Sequence, residues 1–386
     1  MLDFRFLMRF QRFAKLLIAA AVLTATVSAQ APRKGGLFAY AGTYTRQKSK
    51  GIYVYRFDAA TGKLTDGALA AETSNPSFVA VSPDQKYLYA ANENGKGMVT
   101  AFAIDAATGH LKMLNSVSAT GSGPCHVSVD KTGKLVFVAN YNDGTAAAFP
   151  VKADGSLGEA AWNIRNSGSS VDKARQAGPH AHSANISPDN KFMLLNDLGL
   201  DEILVFKIDP AKASVTPNDP PFAKVAPGSG PRHLVFSTNG KFAYAINEML
   251  ATITAFKWDA AHGKLDEVQT VSTVPAGYSG PKSTAEIAVH PNGKFLYGSN
   301  RGNNTIAAFN IDGSTGKLTM IDTFPSGGKT PRSFAIDPSG KFLLSAGQDS
   351  DNIAGFTIDT KTGRLTATGD SVEVGAPVCI VFARAQ

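Results

Sequence analysis

The chain has 386 residues, two cysteines and a formal net charge of +7, of which the first 29 residues contribute +3. The remaining surplus of about +4 is spread as one lysine per repeat. This excludes the single-faced basic stripe of a nucleic-acid binder, and the absence of any CxxC pair excludes a zinc-ribbon scaffold.

At the start, Arg5, Arg9, Arg12 and Lys15 precede an apolar run over residues 16–27, and Val27, Ser28 and Ala29 offer small residues before Gln30. Residues 1–29 therefore read as a secretory signal peptide and residues 30–386 as one domain, with a periplasmic or secreted destination. An uncleaved membrane anchor is the alternative, although the run is short for a bilayer span.

The rest of the chain repeats. Units open at Pro76, Pro124, Pro179, Pro231, Pro281 and Pro331, at intervals of 48, 55, 52, 50 and 50 residues, with a half-unit at Pro377. Each carries a short apolar run, a polar turn, an alternating run ending in Asn, a third run and a TGKL-type turn. The turn lysines Lys86, Lys134, Lys191, Lys241, Lys294 and Lys341 set the register. A period near 50 residues with four short strands predicts an all-β, seven-bladed β-propeller of four-stranded antiparallel blades. The C-terminal strand is expected to pair with the three N-terminal strands, closing the ring and removing an open sheet edge. A closed ring needs no partner, so a monomer is expected. Cys125 and Cys379 fall in blades two steps apart, too far for a disulfide, and read as buried small apolar residues. Residues 162–182 form the longest excursion, and the proline-rich residues 210–231 read as a non-regular connection.

What recurs in every unit is expected to hold up the blade. The strand-end residues Asn92, Asn140, Asn196, Asn247 and Asn300 therefore read as caps, and His262 and His290 as surface turn residues. What deviates is free for chemistry. The start of strand one and the end of strand two share one face, at the mouth of the central channel. There the register places Cys125, His126, His180, His182, Arg232, His233, Glu286 and Arg332 on first strands or just before them, and Glu93, Tyr141, Asp197, Glu248 and Arg301 after second strands. Arginines there suit a carboxylate, a phosphate or a developing oxyanion, and a histidine can move a proton. So many cations disfavour a calcium cage, and no metal or cofactor is expected.

The segments GTYT with KSKGIYVYRFDAATGKL, GPRHLVFSTNGKFAYAINE and AEIAVHPNGKFLYGSNRG give the chain its likeness. It resembles the seven-bladed propeller lactonase family, which includes propeller-type 6-phosphogluconolactonases and 3-carboxy-cis,cis-muconate lactonizing enzymes. The resemblance implies a metal-independent lactonase acting on a small-molecule lactone or sugar acid. It carries the family's histidine, arginines and glutamate onto His182, Arg232, Glu248 and Arg301: His182, Glu248 and Arg301 as catalytic residues, Arg232 as a substrate ligand. His180, His126, His233, Glu286 and Arg332 complete the expected binding set, and His180 competes with His182 for the role of base. Two alternatives stand beside hydrolysis: cycloisomerisation of a muconate, and a non-catalytic exported propeller binding a glycan or protein.

Overall fold

The computed structural model describes residues 36–46 and 48–385; the expected signal peptide lies outside them. The regular elements of the described residues are all strands, arranged as seven four-stranded antiparallel sheets. One of them joins Pro377–Arg384 to Leu37–Thr43, Gly51–Phe57 and Leu64–Glu72, so the two chain ends share a blade and close the ring. We number this blade 1 and the rest 2 to 7 in chain order.

Alternation along each strand decides what packs where. The second strand of every blade is the most buried, as in Leu135–Asn140 and Phe242–Asn247, because sheets stacked on both faces leave it no solvated side. The large buried aromatics are Tyr40, Tyr89, Tyr244 and Tyr297 with Phe38, Phe102, Phe137, Phe149, Phe256, Phe295 and Phe309. A buried phenol usually finds a partner for its hydroxyl, although that of Tyr244 makes no hydrogen bond among the described residues. Tyr40, Tyr89 and Tyr297 each donate to a turn carbonyl of the next blade, at Gly109 (2.7 Å), Gly155 (3.1 Å) and Gly363 (2.9 Å). These turns need glycine: Gly109 has φ 77° and packs on Phe38, so a Cβ there meets the ring at 3.0 Å. The expected cysteines are both free and buried.

Three details depart from the repeat reading. Residues 210–231 are not irregular, since Ser214–Lys224 is the outer strand of blade 4. Its prolines are tolerated because an outer strand leaves one edge unpaired. Strand one of blades 4 and 6 begins at Ala181 and Thr284, not at Pro179 and Pro281. His290 is buried at 2 % exposure rather than on the surface. It takes the turn position held elsewhere by Asp130 or Asp337, donating through Nε2 to the Gly340 carbonyl (2.7 Å) and accepting from the Asn292 amide (3.0 Å). His262 is exposed, paired with Asp259.

Candidate active site

Each inner strand pairs its first residue with the last residue of strand two: Pro76 with Asn92, Pro124 with Asn140, Ala181 with Asp197, Pro231 with Asn247, Thr284 with Asn300, Pro331 with Gly347 and Pro377 with Thr43. The register then slips in all seven, so the next residue has no partner opposite. A bulge bends the strand and re-aims the side chain of its extra residue. The bulged positions hold Ser77, Cys125, His182, Arg232, Ala285 with Glu286, Arg332 and Val378. The chemistry at this end of the channel is thus displayed on a ring of bulges, supported by the asparagines below. Asn140 and Asn247, for example, donate to Thr145 and to Thr252 and Thr254.

Blade 4 shifts this pattern by one residue. Asp197, not Asn196, is the cap: it is fully buried and accepts from the amides of His180 (2.7 Å) and Gly199 (3.0 Å) and from Asn166 (2.7 Å). The side-chain amide of Asn196 makes no hydrogen bond among the described residues. The mouth position after the cap is therefore Leu198 in this blade, beside Tyr44, Glu93, Tyr141, Glu248, Arg301 and Gln348 in the others.

The mouth encloses a cavity of about 370 Å³, lined by Tyr44, Glu93, Cys125, Tyr141, Arg175, His182, Glu248, Ser283, Arg301 and Arg332. At its centre Glu248, with its side chain only 8 % exposed, faces three guanidinium groups. Arg301 meets Oε2 at 2.7 Å, Arg175 meets Oε1 at 2.7 Å and Arg232 Nε stands 3.2 Å from Oε2. Burial raises the Glu248 pKa, but Arg301, Arg232 and Arg175 outweigh it and bring the carboxyl to about 2. Arg301 is fixed further by Nε and Nη2 donating to the Thr284 carbonyl at 3.2 and 2.9 Å, which leaves Nη1 unused among the described residues.

His182 reaches the cavity, with Nδ1 3.8 Å from Cys125 Sγ. Burial first, then Arg232, His233 and Arg332, hold its pKa well below 6.5, so the ring is neutral at neutral pH. His180 lies behind Tyr141, stacked on that ring at 4.5 Å and donating from Nδ1 to the Tyr141 carbonyl at 2.7 Å. Of the two candidates for the base, His182 is the one on the cavity wall.

Apart from Arg332, which lines the cavity, the other expected ligands sit one layer deeper. Arg232, 3 % exposed, donates from Nη1 to the Ala285 carbonyl (2.8 Å) and to His233 Nε2 (3.1 Å), so His233 carries its proton on Nδ1, aimed at Glu286 Oε1 (2.9 Å). Burial raises Glu286 to about 7 against the opposing pull of Arg232, while burial and neighbouring cations keep His126 and His233 neutral. His126 stacks on Phe78 at 4.3 Å. This layer separates the mouth from an open space of about 890 Å³ in the lower channel, where His126 and Phe78 appear on the wall.

Three cavity residues, Ser283, Arg175 and Tyr44, escape a reading based on one register. Arg175 comes from the long excursion, whose turn is anchored by the fully buried Gln176 donating to the Leu198 carbonyl (2.8 Å). From there Arg175 also reaches the Tyr141 hydroxyl at 3.0 Å. Tyr44 belongs to the shared blade, directly after the cap Thr43, and extending the register to the chain ends finds it. Among the described residues no group of His, Cys, Asp and Glu is arranged to hold a metal.

A family model described as "Lactonase, 7-bladed beta-propeller" matches residues 38–382. The chain is 34% identical over 284 residues to a 6-phosphogluconolactonase of Bacillus subtilis, covering 73% of this chain and 80% of that one. It is 38% identical over 294 residues to one from Formosa agariphila, covering 74% and 82%. Among solved structures, a periplasmic gluconolactonase of Pseudomonas aeruginosa superposes with a TM-score of 0.86 at 36% identity, covering 91% of this chain and 100% of that one. With the family model spanning residues 38–382 and these relatives together, the chain belongs to the seven-bladed β-propeller lactonase family.

Proposed function

We propose that this protein hydrolyses a sugar lactone at the channel mouth without a metal, with His182 as general base and Arg301 as oxyanion donor. The observation that carries the reading is the presence of a buried, neutral histidine and an arginine whose Nη1 is uncommitted on the wall of one cavity sized for one sugar.

In this mechanism His182 takes a proton from water as its oxygen attacks the lactone carbonyl. Arg301 Nη1 donates to the oxygen on which negative charge develops, held by Glu248 and the Thr284 carbonyl so that little reorganisation is needed. As the tetrahedral intermediate collapses, the ring C–O bond breaks and protonated His182 returns its proton to the departing ring oxygen, leaving a hydroxy acid. Arg232 acts through Glu248 and His233 instead of touching the substrate. Glu248, ionised under three guanidinium groups, serves as an orienting anion and not as a proton carrier. The same reading places residues 30–386 as the mature domain, exported by residues 1–29 to the periplasm, the compartment stated for the Pseudomonas aeruginosa relative. Continuous titration of acid released from a panel of plain and phosphorylated sugar lactones by the purified mature chain tests the proposal. Release above the spontaneous rate from at least one supports it, and none from any rejects it.

A further inference from the structure

The arginines at the mouth are not equivalent. Arg175, Arg232 and Arg301 all share Glu248. Arg332, on the bulge of blade 7, also lines the cavity, yet among the described residues no carboxylate lies within 4 Å of it and no acceptor takes its N–H groups. Its close partner among the described residues is the face of Tyr44, with the guanidinium carbon 5.4 Å from the ring centroid. Tyr44 in turn donates to Glu93 at 2.9 Å, so Glu93 and Glu248 attract Arg332 through space without pairing with it directly.

Charge adds to this. Arg175, Arg301 and Arg332 on the wall, with Arg232 behind them, outnumber Glu93 and Glu248, so the occupied cavity has room for about two further negative charges. Arg332 itself disfavours the charged forms of Arg232 and Arg301, a repulsion that a bound anion relieves. Its blade is three steps around the ring from blade 4, nearly opposite His182. A planar, desolvated guanidinium with its donors unclaimed is built for two-pronged contact with an oxyanion.

From this geometry we infer that Arg332, braced on Tyr44, is the specificity-determining residue that receives a second anionic group of the substrate, a phosphate or carboxylate carried away from the lactone carbonyl. This rests on the hydrolase reading above for the position of the reacting carbonyl. The binding of the anion itself does not.

Calorimetric titration of the wild type, Arg332→Met and Arg332→Lys with 6-phosphogluconate, glucarate and gluconate tests it, with far-ultraviolet spectra confirming that each variant folds. The wild type should bind at least one of the two doubly anionic ligands more than about tenfold tighter than gluconate, the preferred one showing whether phosphate or carboxylate is the group. Arg332→Met should reduce that preference about 10- to 100-fold, the loss for one charge-assisted contact, with Arg332→Lys in between because it keeps charge without the fork. No preference in the wild type, or an undiminished preference in Arg332→Met, overturns the inference. An Arg332-dependent preference in a protein that hydrolyses no lactone rejects the hydrolase reading and leaves this one standing.

Discussion

Replacing Glu248 by Gln removes the anion that three guanidinium groups share while keeping the side chain's shape. Two routes give its magnitude. Lowering the carboxyl from 4.5 to about 2 corresponds to about 3 kcal/mol at roughly 1.4 kcal/mol per unit. Removing one partner of a buried ion pair strands the other and costs about 3–5 kcal/mol. Here the stranded groups are Arg232, with its side chain 3 % exposed, and Arg301, at 14 %. Arg175, at 45 %, is solvated and adds at most about 1 kcal/mol. Urea unfolding at pH 7, followed by circular dichroism, should therefore place Glu248→Gln about 3 kcal/mol below the wild type. The folded pKa is depressed, so the Glu248 contribution is full above about pH 4.5 and is lost as pH falls towards 2. The difference between the two proteins should shrink over that interval. A difference under about 1 kcal/mol at pH 7 refutes the shared-anion account of the site.

Arg301→Lys should keep the charge but lose the fork that binds Glu248 and the Thr284 carbonyl together, lowering kcat about a hundredfold in a lactone assay. Arg232→Lys should fall less in kcat, because Arg232 lies behind the wall; equal losses for the two contradict their separate placement. Glu286, raised to about 7, has the opposite sign to Glu248: the stability it adds is full below about pH 4.5 and is lost as pH rises through 7. Thermal unfolding should therefore show Glu286→Gln gaining on the wild type as pH rises from 4.5 to 7, and the reverse order contradicts burial as the cause.

The architecture was legible because it is written seven times. A proline-opened strand, a turn lysine and a cap recur at a period that only stacked four-stranded sheets explain, and even the shared blade followed from the half-unit at Pro377. Local identity misled where one residue type substitutes for another. Asp197 does the work of an asparagine, so the adjacent Asn196 looked like the cap, and His290 occupies a turn position whose usual aspartate or serine reads as exposed. The site was legible as a set of positions but not as a set of depths. The bulge that turns His182 and Arg332 to the cavity has no sequence signature. The layering that puts His126, His233 and Glu286 beneath the wall depends on side-chain packing from four blades at once. Arg175 was hidden for another reason: it stands on an excursion outside the repeat, and its contact with Glu248 spans 73 residues.

The central claim, that His182 is the base at this mouth, is tested most directly by the pH dependence of kcat/KM for a hydrolysed lactone in the wild type and His182→Ala. Because burial and the cations Arg232 and Arg332 disfavour protonation of His182, the acid limb of the wild type should fall below pH 6.5, with activity lost as pH drops through it. His182→Ala should lose about 10²- to 10⁴-fold in kcat/KM and lack that limb. A variant that keeps both the wild-type rate and the wild-type limb contradicts the assignment.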